Sequence, residues 1–256
     1  MKTLVMKFGG ASVATPQHFS KIADIVIERH KSYPRIIIVV SAMGKTTDEL
    51  IALATQVHPH PPRREYDMLV SVGERISISL LAMALAAKNY EAVSFTGSQS
   101  GIITTEEHSE ARIVDIRPRR LITALEEGKI VIVAGFQGVS YKGEITTLGR
   151  GGGDTSAVAL GVAFSTKVEF YKDVPGVFSE DPKLNAKALH YPYLSYHEAL
   201  TITSKGAKIL HPRSIQLAEK NFLELHVLSF NKEHRERTLI HSKECSKRET
   251  PIYEHL

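Results

Sequence analysis

Six short runs of apolar and β-branched residues punctuate the chain: Leu4–Phe8, Arg35–Ser41, Ala92–Phe95, Ile130–Ala134, Val168–Tyr171 and Leu225–Phe230. Runs of this length and composition predict buried strands. Longer segments with helical spacing lie between most of them. In the first, Phe19, Ile22, Ala23, Val26 and Ile27 follow the spacing that places them on one helix face. Val72–Ala87 is apolar on more than one side, which predicts a helix packed on two sides. Strands alternating with helices imply an α/β fold with a mainly parallel sheet covered on both faces, and such sheets collect ligands at the carboxyl ends of their strands. Phe136–Leu148, with Gly138 and Gly143, predicts an inserted hairpin. From Asn231 the chain turns charged, which predicts a solvated tail over 231–256. The sequence has no internal repeat and no low-complexity linker.

The chain has 256 residues, enough for one large α/β domain or two smaller units. Hydrophobic content of 43% and charged content of 23% are ordinary for a globular protein. No uninterrupted apolar run approaches the ~18 residues of a membrane span, and M-K-T-L-V-M-K-F-G-G is too short in its apolar part for a signal peptide. A cytoplasmic enzyme or binding protein with no membrane partner is expected. Cys245 is the single cysteine, so neither an internal disulfide nor a cysteine-rich zinc site is open to the chain. The net charge of +4 is scattered rather than gathered into a stripe, which argues against a nucleic-acid partner. A small polyanion such as a nucleotide accounts for it equally well.

The candidate chemistry lies in loops. In S-A-M-G-K-T-T a P-loop would need glycine at Val39, and G-R-G-G-G-D misses the dinucleotide fingerprint because its last position is Asp154. V-H-P-H-P-P-R-R lacks a third metal ligand and reads as a loop. T-L-G-R-G-G-G-D-T, Thr147 to Thr155, sets four glycines around Arg150 and places Asp154 at a helix start. That many glycines cost conformational entropy that a mere turn does not require, which points to a ligand approaching the backbone. K-F-G-G-A-S-V carries Lys7 to the end of the first strand, where it is either a solvated strand-end lysine or a cation facing phosphate. S-V-G-E-R-I-S starts a helix with Glu74, a dipole partner or a ligand. Y-K-D-V-P-G-V-F-S-E-D-P-K places Asp173, Asp181 and Lys183 in turns after a strand, and G-A-K-I-L-H-P-R sets Lys208 in a helix expected to break before Pro212.

Taken in this order, K-F-G-G-A-S-V, V-S-A-M-G-K-T-T-D, V-S-V-G-E-R-I-S, G-R-G-G-G-D-T-S-A, K-D-V-P-G-V-F-S-E-D-P and G-A-K-I-L-H-P resemble the catalytic domain of the aspartate kinase family, over roughly residues 2–230. The resemblance implies the amino acid kinase fold, a three-layer αβα sandwich, in a catalytic domain spanning residues 1–230. It implies ATP-dependent phosphorylation of the L-aspartate β-carboxylate, on the route to lysine, threonine and methionine. It assigns Lys7 and Lys208 to the phosphates and Asp154 to holding the lysines. Arg150 would take the substrate α-carboxylate, Glu74 its ammonium, and Ser41, Thr47 and Gly153 would line the same pocket. Gly9, Gly10, Ser12, Asp173, Phe178, Asp181 and Lys183 would meet ATP, with Mg²⁺ carried by the nucleotide rather than by a metal site of the protein. A homodimer is also implied.

This chain departs from the pattern at several positions. The family usually has serine at Gly153, tyrosine at Phe178, arginine at Lys183 and threonine at Ala11. Family members commonly continue into two regulatory ACT domains. Since only 26 residues follow Phe230, no ACT domain and no allosteric control by lysine are expected within this chain. Two further readings stand beside this one: a related kinase for another acidic metabolite, with Gly153 reshaping the pocket, and a nucleotide- or amino-acid-binding protein without turnover. Lys7, Asp154 and Lys208 together argue against the last. A Lys7→Ala change is expected to spare the fold, on the view that a strand-end lysine is mostly solvated.

Overall fold

The computed structural model describes residues 2–180, 182, 185, 187–204, 206–207, 210–231, 236–242 and 250–254. Along the chain, strand β1 (Thr3–Phe8) and a short 3₁₀ turn (Gly10–Val13) lead to helix α1 (Pro16–His30) and β2 (Arg35–Val40). Three helices follow, α2 (Thr46–Val57), α3 (Arg63–Val70) and α4 (Val72–Ala86), and then β3 (Ala92–Phe95), β4 (Ile102–Thr104) and β5 (Ile113–Ile116). Helix α5 (Arg119–Glu126) precedes β6 (Ile130–Ala134), the hairpin β7 (Gln137–Ser140) and β8 (Ile145–Thr147), α6 (Gly152–Ala163) and β9 (Val168–Lys172). The last part holds β10 (Val177–Phe178), β11 (His190–Tyr191), β12 (Tyr193–Leu194), α7 (Tyr196–Ser204), α8 (Pro212–Lys220), β13 (Leu225–Ser229) and β14 (Arg237–Ile240).

The main sheet runs β12-β14-β13-β9-β1-β2-β6-β3, and only the β13–β14 pairing in it is antiparallel. Alternation along each central strand sends side chains to opposite faces. Val5, Ile37, Val39, Val131, Val133 and Phe170 pack on one face with Ala157 and Leu160 of α6 and Ile215 of α8. Leu4, Met6, Ile36, Ile38, Ile130 and Ile132 pack on the other with Phe19, Ile22 and Val26 of α1 and Ile78, Leu81 and Leu85 of α4. Helices therefore cover both faces, as the alternation of strands and helices predicts, giving the three-layer αβα arrangement that the resemblance implies. The hairpin β7–β8 joins β4 and β5 in a separate four-stranded sheet, and β10–β11 form a two-stranded ribbon.

Three expectations change. The chain after Asn231 is not simply a solvated tail: Arg237–Ile240 adds a strand, Thr238 is fully buried, and Tyr253 and Glu254 are buried as well. Its charged composition hides a short β-branched stretch and one carboxylate with a buried partner. Pro212 starts a helix instead of ending one, because its fixed φ and missing N–H suit the first helical turn. The continuous helical run Arg63–Ala86 is long and apolar enough, by length and composition, to cross a membrane. Its polar interruptions kept it from reading as one apolar run, and Ile78, Leu81 and Leu85 spend its apolar face on the core under α1.

Candidate functional site

The parallel strands β1 and β9 are neighbours, and each ends in a lysine: Lys7 is the penultimate residue of one and Lys172 the last of the other. Helix α6 starts above them and brings Asp154 into its first turn. Lys7 Nζ lies 2.6 Å from Asp154 Oδ1, and Lys172 Nζ lies 3.8 Å from Asp154 Oδ2. The backbone N–H of His211 donates to Asp154 Oδ2 at 3.3 Å. One carboxylate thus bridges two ammonium groups in a nearly dry site.

Burial alone would raise the Asp154 carboxyl, but the charges of Lys7 and Lys172 and their hydrogen bonding outweigh it and hold its pKa below the ordinary value. Burial lowers Lys172, reinforced by the like charge of Lys7 and opposed by Asp154 and Asp173. Lys7 is only 6% exposed, which corrects the expectation of a mostly solvated strand end. Gly9 and Gly153 border its side chain, and Asp154 supplies the charge that makes burial tolerable.

The glycines serve this packing. Gly151 precedes α6 at φ +77°, and a Cβ there would overlap the His211 ring. Gly149 is also left-handed, at φ +70°. The turn is fastened from both sides. Buried Asp67 of α3 accepts from the Thr147 N–H at 3.0 Å and the Thr147 hydroxyl at 2.6 Å. Arg213 of α8 donates to the Leu148 carbonyl at 2.6 Å and the Ala111 carbonyl at 3.0 Å, and is held in turn by Glu254.

Next to Lys7 is a second polar group. Glu74, in the first turn of α4 and 3% exposed, accepts from the Ala42 N–H through Oε1 at 2.9 Å. Its Oε2 is buried with no hydrogen-bond partner. Burial pushes the carboxyl up to about 7, against the backbone hydrogen bonds and the Lys7 charge. An acceptor that is buried and unpaired costs free energy that a cationic donor would recover. A Cβ on Gly73 would lie 3.7 Å from Thr47 Oγ1, and one on Gly153 would lie 3.3 Å from Ser41 Oγ and 3.5 Å from Lys7 Cε. Ser41, Gly153, Asp154 and Lys7 therefore converge, with Glu74 close enough to feel the Lys7 charge, while Thr47 borders Gly73 at the start of α4.

The remaining expected residues are more dispersed. Arg150 is exposed on the turn. A Cβ on Gly9 would lie 3.5 Å from Lys7 Nζ, so that glycine borders the ammonium; Gly10 borders the Ala42 and Gly44 carbonyls instead. Ser12 is buried in the short turn after β1. Its Oγ donates to the Tyr171 carbonyl at 3.3 Å, which ties the turn to β9, and its N–H donates to the Gly9 carbonyl at 2.9 Å, which closes the turn on itself. Asp173 is exposed beside Lys172, and Phe178 sits on the β10–β11 ribbon, its ring 5.1 Å from that of His190. Asp181, Lys183 and Lys208 lie outside the described residues. Sequence reading passed over Lys172, although a lysine at the carboxyl end of a strand, as at Lys7 near the end of β1, was an available signal. Among the described residues no group of three His, Cys, Asp or Glu side chains could hold a metal. A cavity of about 610 Å³ lies elsewhere, at the amino ends of the strands, lined by Thr3, Lys167 and Glu224 among others.

Comparison with known proteins follows this geometry. Residues 2–229 match the model of the amino acid kinase family. An aspartokinase from Bacillus sp. (strain MGA3) is 49% identical over 241 residues, covering 94% of this chain. The chain spans 58% of that relative's length. The crystal structure of aspartate kinase from Synechocystis superposes with a TM-score of 0.83 at 43% identity, over 96% of this chain and 40% of that one. E. coli aspartokinase III in complex with aspartate and ADP superposes with a TM-score of 0.84 at 26% identity, over 95% of this chain and 65% of that one.

Proposed function

The chain belongs to the amino acid kinase family, and from that premise we propose that it transfers the γ-phosphoryl group of ATP to the β-carboxylate of L-aspartate, giving 4-phospho-L-aspartate and ADP. The observation that carries this reading is the buried Lys7–Asp154 pair under the glycine turn, next to a Glu74 oxygen awaiting a cationic partner. Its likeness to aspartokinases supports the choice of substrate.

The chemistry suits these side chains. A β-carboxylate with an ordinary pKa near ~3.9 is ionised at neutral pH, so no general base is needed. A carboxylate oxygen bonds to the γ-phosphorus while the bond from that phosphorus to the bridging oxygen of ADP breaks. Charge moves onto the bridging oxygen and spreads over the equatorial oxygens, and the protein's task is to neutralise and align it. Lys7, with Lys208, meets those oxygens, and Asp154 fixes the direction of the ammonium. Glu74 takes the substrate ammonium, Arg150 its α-carboxylate through a planar fork, and Ser41 and Thr47 line the pocket. The segment carrying Asp173, Phe178, Asp181 and Lys183 receives the nucleotide. Oxygen-rich phosphates supply the ligands for Mg²⁺, which brings charge neutralisation when bound. The catalytic residues all lie within 1–230, the sheet that carries them continues into β14, and the unit works as a homodimer. Incubation with Mg·ATP, aspartate and hydroxylamine should yield aspartyl hydroxamate; ATP binding with no hydroxamate from any amino acid would reject the reading.

Glu74 gives a proton-linked signature. Its folded pKa of about 7 stands above the ordinary carboxyl value, so it is partly protonated near neutrality in the free protein. Capture of an ammonium favours the carboxylate, so aspartate binding at pH 7 should release about half a proton. Calorimetry in buffers of different ionisation enthalpy measures this, and Glu74→Gln should abolish the release. The sign for stability is fixed by the same shift. Ionisation costs more in the folded than in the unfolded chain, so this contribution falls as pH rises from about 4.5 to about 7 and then levels off.

Gly153 carries a second reading, a kinase for another acidic metabolite, because the pocket wall there is bare backbone, with Ser41 Oγ and Lys7 Cε 3.3 and 3.5 Å from where a side chain would begin. Gly153→Ser distinguishes the two. If aspartate is the substrate, the added hydroxyl should lower its KM by about three- to tenfold with kcat little changed; a rise in KM for aspartate would favour the other metabolite.

A further inference from the structure

We propose that Lys172 is a further phosphate-contacting ammonium of this site, sharing Asp154 with Lys7. The inference rests on the proposed nucleotide chemistry and deepens it. Lys172 ends β9 beside β1, so the two lysines rise from adjacent strands on the side where α6 begins. Its ammonium is 3.8 Å from Asp154 Oδ2, too long for a strong hydrogen bond, while Lys7 occupies the other oxygen at 2.6 Å. The Lys172 side chain keeps 22% of its surface exposed, against 8% for Lys7. A cation that is only loosely held by its counter-charge and still reaches the surface has donors to spare for an incoming anion.

The alternative is that Lys172 merely neutralises Asp154. Lys7 already neutralises that carboxylate through one oxygen, and the His211 N–H donates to the other. A second ammonium in the same half-dry space costs desolvation and like-charge repulsion unless a polyanion arrives. The charged groups facing it are Lys7 from β1, Asp154 from α6 and Asp173 on its own strand end.

The test compares ATP with adenosine, which lacks the phosphates, in equilibrium binding to the whole chain, with Lys172→Met and Lys172→Arg set against the unchanged protein. Lys172→Met should weaken ATP binding about tenfold, leave adenosine binding unchanged and lower kcat at least tenfold. Lys172→Arg should stay within about threefold of the parent and extend ATP binding to higher pH, because a guanidinium does not titrate there. Equal loss of ATP and adenosine binding, or ATP binding by Lys172→Met equal to the parent's, would overturn the proposal. A parent chain that binds ATP without phosphorylating aspartate would reject the proposed reaction, yet the comparison would still decide the role of Lys172. A parent that binds no ATP would overturn both.

Discussion

Lys7→Met should lower kcat by about 10³ or more, because it removes a cation that acts where charge develops on the transferring group. The same change should cost stability. Removing one member of a buried ion pair costs on the order of 3–5 kcal/mol when the remaining charge has no other partner. Here Lys172 stays 3.8 Å from the other oxygen of Asp154, so a smaller loss is expected, about 2 kcal/mol and roughly 5 °C in Tm for a chain of this size. Thermal unfolding and the hydroxamate assay, run on the same preparation, separate the two effects. Lys7→Arg should recover most of the stability but little of the rate, since a planar fork cannot aim its charge as a terminal ammonium does. Retention of activity within tenfold in Lys7→Met would remove this lysine from the chemistry.

Gly151→Ala should be as damaging, for a reason that begins in the backbone. The residue sits at φ +77°, where an L side chain costs about 1 kcal/mol, and the new methyl group would overlap the His211 ring. Since the His211 N–H donates to Asp154, pushing that residue aside also disturbs the carboxylate that aligns the lysines. A stability loss of about 3 kcal/mol and a fall in kcat of at least about 10² are expected. Gly143→Ala is the control. Its φ is +84° but nothing lies within 4 Å of the added atom, so only the backbone cost of about 1 kcal/mol should appear, with activity intact. Equal damage from both substitutions would show that strain alone, and not the His211 contact, governs the turn.

Much of the architecture was legible because its central strands are apolar on both faces. Arg35–Val40 and Ile130–Ala134 are almost uninterrupted β-branched runs, and their structural bounds agree with the reading to within a residue. The 237–240 strand escaped because only Thr238 and Ile240 are buried in it, amid charged neighbours whose average hides them. For the site, glycine density marked the turn and placed Asp154 at a helix start. The partnership of Lys172 with Asp154 was not legible, since it depends on β9 lying next to β1, a pairing between residues more than 150 positions apart in sequence. The bond from the Ser12 hydroxyl to the Tyr171 carbonyl was hidden for the same reason, since it too joins the turn after β1 to β9.

The fastening of the glycine turn by Arg213 and Glu254 bears on where this unit can be cut. The family match stops at residue 229, yet β14 lies beyond it and hydrogen-bonds along β13, and Glu254 grips the guanidinium that holds Leu148. A fragment trimmed to the family boundary would bare one side of β13, leaving a row of unpaired N–H and C=O groups open to strand addition from another molecule. It would also untie the turn that carries Arg150 and Asp154. Self-association and loss of catalytic geometry would then arrive together, and a silent fragment would say nothing about whether its catalytic residues had been chosen correctly.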